Sequence, residues 1–130
     1  MGNERSERRV RILIADDHPI FRDGLRRLLE SQAGFEVVGE ARDGEEAVEF
    51  ARKLAPDVLL LDLAMPRASG LDALHQLSSV NNGPRVLLLT VAIDNMQTVE
   101  ALRHGARGVV LKETATELLY KAIRSVVAGQ

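Results

Sequence analysis

The stretch Val10-Arg11-Ile12-Leu13-Ile14-Ala15-Asp16-Asp17-His18-Pro19 joins a nearly continuous apolar run to two adjacent acids, and then to a proline suited to a first helical turn. Three further short apolar runs each meet a polar residue at once: Val58 to Leu61 before Asp62, Val86 to Leu89 before Thr90, and Val109 to Leu111 before Lys112. Such runs suit strands buried on both faces. A fifth, Phe35 to Glu40, is less uniformly apolar and is assigned to the sheet edge.

Helical stripes separate the strands. Phe21, Leu25, Leu28 and Leu29 mark the first; Ala47, Ala51 and Leu54 the second; Leu71, Leu74 and Leu77 the third. Val99 and Leu102 mark a shorter fourth, and Leu118, Leu119, Ala122, Ile123 and Val126 the fifth. Asp43 can cap the second helix and Pro56 ends it. Strand and helix alternate five times. With right-handed crossovers, the fold class that follows is α/β: a three-layer α/β/α, doubly wound, five-stranded parallel sheet in the flavodoxin-like order 2-1-3-4-5.

At 130 residues the chain makes one domain, expected over residues 10–128 after a polar, charged tail over residues 1–9. That tail has no apolar core of the signal-peptide kind, and no run reaches membrane-spanning length. The absence of cysteine removes disulfides and thiolate chemistry and fits a cytoplasmic protein. A formal net charge of −2, with bases scattered among acids, gives the domain no nucleic-acid footprint of its own.

In an open parallel sheet the carboxyl ends of the strands share one edge, where ligands bind. Asp16, Asp17, Asp62, Thr90 and Lys112 are therefore expected to converge. Two carboxylates about 4 Å apart repel by roughly 4 kcal/mol at an effective dielectric of 20, so the cluster calls for a cation. Hard oxygen donors favour Mg²⁺, with Mn²⁺ as the alternative. Lys112 either neutralises part of the charge or acts as a salt-bridge partner of Asp62, and both roles can coexist. Asp62, ending a central strand, is the candidate nucleophile for a phosphoryl group, and Asp16 and Asp17 are better placed to hold metal. Asp57 lies at the other end of the same strand, ~16 Å away, and is assigned a turn role. His18, His75 and His104 share no metal-ligand spacing, and His18 is assigned to the start of the first helix.

These residues resemble the receiver domain of bacterial two-component response regulators. The landmarks are Ile14 to Pro19, Leu61 to Pro66 with Gly70, Leu89-Thr90, and Gly105 to Gly108 leading into Leu111-Lys112. The first-helix wording, His18 to Leu25, and the ending Ala122 to Gly129 are similar to the NarL/FixJ subfamily. The resemblance implies that Asp62 is the phosphoacceptor, that Asp17 ligates Mg²⁺ directly and Asp16 through water, and that the Ala64 carbonyl completes the set. It further implies that Thr90 and Lys112 contact the phosphoryl group. The implied donor is a sensor histidine kinase, and the implied output is transcription through a LuxR-type helix-turn-helix domain. No such domain follows Gln130, so the favoured reading is a receiver cut from a longer regulator, with a stand-alone receiver as the other. DNA contact would come only through that output domain. Homodimerisation on phosphorylation is a further expectation, with Tyr120, Lys121 and Arg124 lying outside the apolar stripe of the fifth helix.

Two positions depart from the pattern. Val109 stands where receivers commonly place Tyr or Phe, and Glu113 replaces a frequent proline, so a trans peptide is expected after Lys112. The competing functions are a non-phosphorylated interaction scaffold and a Mg²⁺-dependent phosphohydrolase with an Asp nucleophile. In either receiver reading the domain is a regulatory protein and not an enzyme acting on a separate substrate.

Overall fold

The computed structural model describes residues 9–63, 65, 70–78, 83–90, 96–113 and 116–129. Five strands, β1 (Val10–Ala15), β2 (Phe35–Ala41), β3 (Val58–Asp62), β4 (Arg85–Thr90) and β5 (Gly108–Leu111), alternate with five helices, α1 (Pro19–Glu30), α2 (Gly44–Leu54), α3 (Gly70–Ser78), α4 (Met96–Arg103) and α5 (Thr116–Val127). All strand pairs are parallel, in the order β2-β1-β3-β4-β5, as the sequence pattern predicts. β2 is an edge strand, and its register against β1 slips by one residue between Ile12↔Val37 and Leu13↔Gly39.

The two-residue period of the strands divides the core. Leu13, Ala15, Leu59, Leu61, Val86 and Leu88 face a layer built on Ala47, Val48 and Ala51 of α2, Ala73, Leu74 and Leu77 of α3, and Ala101 of α4. Ile12, Ile14, Leu60, Leu87 and Leu89 face Leu25 and Leu29 of α1 and Leu119, Tyr120, Ile123 and Val126 of α5. With both faces covered, β1, β3 and β4 are apolar almost throughout, which is why they were legible as continuous runs.

Helix ends follow local chemistry. The Asp43 side chain accepts the Glu46 backbone N–H at 2.9 Å, a cap that contributes about 1 kcal/mol. α2 stops at Leu54 because Pro56 disfavours helical geometry at Ala55, which adopts φ +47° instead. The Arg11 guanidinium then takes the carbonyls of Leu54 and Ala55 at 2.7 and 2.9 Å.

Several helix faces differ from the sequence expectation. In α4, Val99 and Leu102 are 49% and 43% exposed, whereas Thr98 and Ala101 are buried. Leu28 and Leu118 are exposed as well. Conversely, Tyr120 belongs to the core and not to a solvated face: its hydroxyl donates to the Leu28 carbonyl at 2.8 Å and its ring meets Phe35 edge-on. Among the described residues no helix is long and apolar enough to cross a membrane.

Candidate functional site

β1 and β3 lie side by side with Ala15 opposite Leu61, so the residues that follow, Asp16 and Asp62, emerge together at the carboxyl edge. β4 ends beside them at Thr90, whose partner Leu111 immediately precedes Lys112. Asp16, Asp62 and Thr90 are buried. The Lys112 ammonium reaches both carboxylates, 2.7 Å from Asp16 Oδ2 and 3.2 Å from Asp62 Oδ2. The sequence had offered Asp62 as its salt-bridge partner; Asp16 is the nearer.

Burial pushes the Lys112 pKa down, but hydrogen bonds and charge from Asp16 and Asp62 together outweigh it, and the ammonium is held above its ordinary value. Its Nζ also sits 4.8 Å from the Phe21 ring centroid, a cation–π contact that fixes the side chain between α1 and the acids. The Thr90 carbonyl accepts the Lys112 backbone N–H at 2.7 Å, tying the ends of β4 and β5 together.

Asp17 is more open, yet its Oδ1 is buried and accepts no hydrogen bond among the described residues. His18 occupies the N-cap position of α1 without making a side-chain cap bond. Its ring turns back instead, placing Nδ1 3.1 Å from Asp16 Oδ1 and 3.2 Å from Asp17 Oδ1. The start-of-helix assignment thus holds for the backbone of His18, and its imidazole joins the acids. One ligand atom from each of Asp16, Asp17, His18 and Asp62 lies within 4.8 Å of the others.

A buried carboxylate oxygen without a donor is costly unless a cation or water meets it, and here it stands in a set of hard oxygens. The donor set fits Mg²⁺, with Asp16, Asp17 and Asp62 as the residues that would hold it. Ala64 lies outside the described residues, so its carbonyl is not placed.

Gly70 begins α3 directly behind Asp62. A Cβ there would collide with the Asp62 carbonyl oxygen and stand 2.7 Å from Leu63 Cα. Asp57 is at the far end of β3 as expected, exchanging bonds with Arg11 in place of joining the cluster. Sequence reasoning missed Arg22, which donates to the Asp16 carbonyl at 2.6 Å; a cation one turn into the helix after the acid pair was its one visible signal.

Residues 12–124 match the family model of the response regulator receiver domain. The chain belongs to that family. It is 37% identical to the transcriptional regulatory protein DegU of Brevibacillus brevis over 99% of this chain and 55% of the relative. It is 40% identical to the nitrate/nitrite response regulator NarL of Escherichia coli over 92% of this chain and 55% of the relative. The chain thus spans about half the length of these curated relatives. Among solved structures, the receiver domain of the putative response regulator NarL from Mycobacterium tuberculosis superposes with a TM-score of 0.89 at 36% identity, over 95% of this chain and 99% of that one.

In this receiver, Val109 is half-buried against the core layer of α2, α3 and α4. The Lys112–Glu113 peptide is trans, as the missing proline implies. The rings of His75 and His104, with centroids 4.0 Å apart and planes tilted by 42°, join α3 to the residue after α4.

Proposed function

We propose that this receiver, over residues 10–128, accepts a phosphoryl group on Asp62 from the phosphohistidine of a sensor histidine kinase. A carboxylate oxygen of Asp62 attacks phosphorus while the nitrogen–phosphorus bond of the donor breaks, its electron pair remaining on the imidazole. Mg²⁺, held by Asp16, Asp17 and Asp62 with the Ala64 carbonyl, would shield charge on the phosphoryl oxygens when bound, and Mn²⁺ could replace it. Lys112 contributes a fixed positive charge between Asp16 and Asp62, and the Thr90 hydroxyl is the proposed donor to the phosphoryl group.

The observation that carries this reading is the grouping at the edge: among the described residues, Asp16, Asp17 and Asp62 bring carboxylate oxygens within 4.8 Å of one another, and the Lys112 ammonium contacts two of the three, Asp16 and Asp62. The phosphorylated site would bias two conformations of the domain and so alter an interaction surface. By likeness to the named transcriptional regulators, the output is transcription through a DNA-binding domain elsewhere in the regulator, in the cytoplasm, with homodimerisation as one route.

Incubation with acetyl phosphate and Mg²⁺, followed by intact mass, tests the reading. The expected result is one slowly lost phosphoryl adduct, absent without Mg²⁺ and absent in Asp62→Asn. Continuous phosphate release would indicate a phosphohydrolase. No adduct at all would indicate a scaffold that does not use phosphate.

A further inference from the structure

Asp16 is held from three directions. Its backbone N–H donates to the Ala41 carbonyl at 3.0 Å, extending the β1–β2 ladder. Its Oδ1 accepts the His18 backbone N–H at 2.8 Å, closing the turn into α1. Its main-chain carbonyl accepts Nη1 of Arg22 at 2.6 Å, a short, charge-assisted bond. The Arg22 side chain is only 12% exposed, and its Nε is anchored in turn by Glu40 Oε1 at 2.9 Å, on the edge strand. The other oxygen of Glu40 takes Arg26 Nη1 at 2.9 Å, so the carboxylate that orients Arg22 is itself fixed.

We propose that Arg22, oriented by Glu40, is a positioning residue for cation binding: it pins the Asp16 carbonyl so that the adjoining Asp16 and Asp17 side chains are presented to one point. This rests on the metal reading above. Two effects of Arg22 on a cation have opposite signs. Its positive charge repels the ion, whereas its bond to the Asp16 turn pre-arranges the ligands. Glu40 already offsets much of the charge at hydrogen-bond distance, so positioning dominates. Supporting groups of this kind change metal affinity by about 10–100-fold.

The separation of charge from geometry defines the test. Arg22→Lys keeps the charge but cannot span carbonyl and carboxylate with one planar fork. Glu40→Gln leaves Arg22 in place and loosens its anchor. Calorimetric titration of Mg²⁺ into the whole chain should show both variants binding about tenfold more weakly, in line with the loss of other supporting groups. Labelling by acetyl phosphate should recover to the wild-type extent at saturating Mg²⁺, and circular dichroism should report a folded chain. Unchanged Mg²⁺ affinity in both variants, with only a lowered unfolding midpoint, would reduce Arg22 to a structural residue. Tighter binding in Arg22→Gln with unchanged binding in Arg22→Lys would show that charge alone matters. A wild-type chain that binds no Mg²⁺ would overturn the metal reading, and this inference with it.

Discussion

Replacing Lys112 with Met removes the cation between Asp16 and Asp62 while keeping an unbranched stem to pack beside Phe21. At an effective dielectric of 20, the contacts of 2.7 and 3.2 Å amount to gross attractions of about 6 and 5 kcal/mol. Most of this is cancelled by the cost of desolvating the three charges, so the sum is no measure of the loss. A better measure is what remains afterwards: two buried carboxylates with oxygens no more than 4.8 Å apart, repelling by about 3 kcal/mol at the same dielectric. That figure agrees with the ~3–5 kcal/mol lost when one partner of a buried ion pair is deleted. Lys112→Met should therefore unfold at a lower urea midpoint, less stable by about 3 kcal/mol in a chelator and with a Tm lower by about 10 °C. Mg²⁺ should narrow the gap, because the variant has no ammonium competing for the same oxygens. At a hundredfold excess over Kd, a bound ion stabilises by about 2.7 kcal/mol. A variant within about 0.5 kcal/mol of wild type in chelator, as for an ordinary surface change, would refute the reasoning. So would a gap that Mg²⁺ widens.

Tyr120→Phe keeps the packing on Phe35 and deletes the bond to the Leu28 carbonyl, so it should cost about 1 kcal/mol in urea unfolding. The carboxyl of Glu46 is held below its ordinary value near 4.5, first by the side-chain hydrogen bond from Arg42 and then by the Arg42 backbone N–H. Its contribution is then present above that value and lost as pH falls through the lowered one. The stability difference between wild type and Glu46→Gln, measured by urea titration, should shrink between about pH 6 and about pH 3.

The sheet was legible because strands covered on both faces are continuous apolar runs, and because each ends at a polar residue. The site followed from topology: Asp16, Asp17, Asp62, Thr90 and Lys112 need only be strand ends to meet. Helix faces were harder. On α4 the apolar residues Val99 and Leu102 suggested the inward stripe, but the residues that are buried are the smaller Thr98 and Ala101. Tyr120 reads as polar until the Leu28 carbonyl is seen to satisfy its hydroxyl. Arg22 and Glu40 are 18 residues apart, on a helix and an edge strand, and no local pattern announces their contact. The turn of the His18 ring toward the acids depends on rotamer geometry, which spacing does not encode.

The two ends of β3 show how one residue type is put to different uses. At the amino end, the Asp57 carboxylate accepts the Arg11 N–H at 2.9 Å, its own N–H donates to the Arg11 carbonyl at 2.8 Å, and its carbonyl accepts the Arg85 N–H at 3.1 Å. Main-chain partners on both flanking segments satisfy that aspartate, and it needs no ligand. At the carboxyl end, among the described residues, Asp16, Asp17 and Asp62 bring carboxylate oxygens within 4.8 Å of one another, and the Lys112 ammonium contacts Asp16 and Asp62. Such a concentration of negative charge opposes folding by self-repulsion, and the apolar interior of β1, β3 and β4 must hold it in place. An edge arranged in this way gains most from a divalent cation and, once that charge is matched, can accept the phosphoryl oxygens that bare carboxylates would repel.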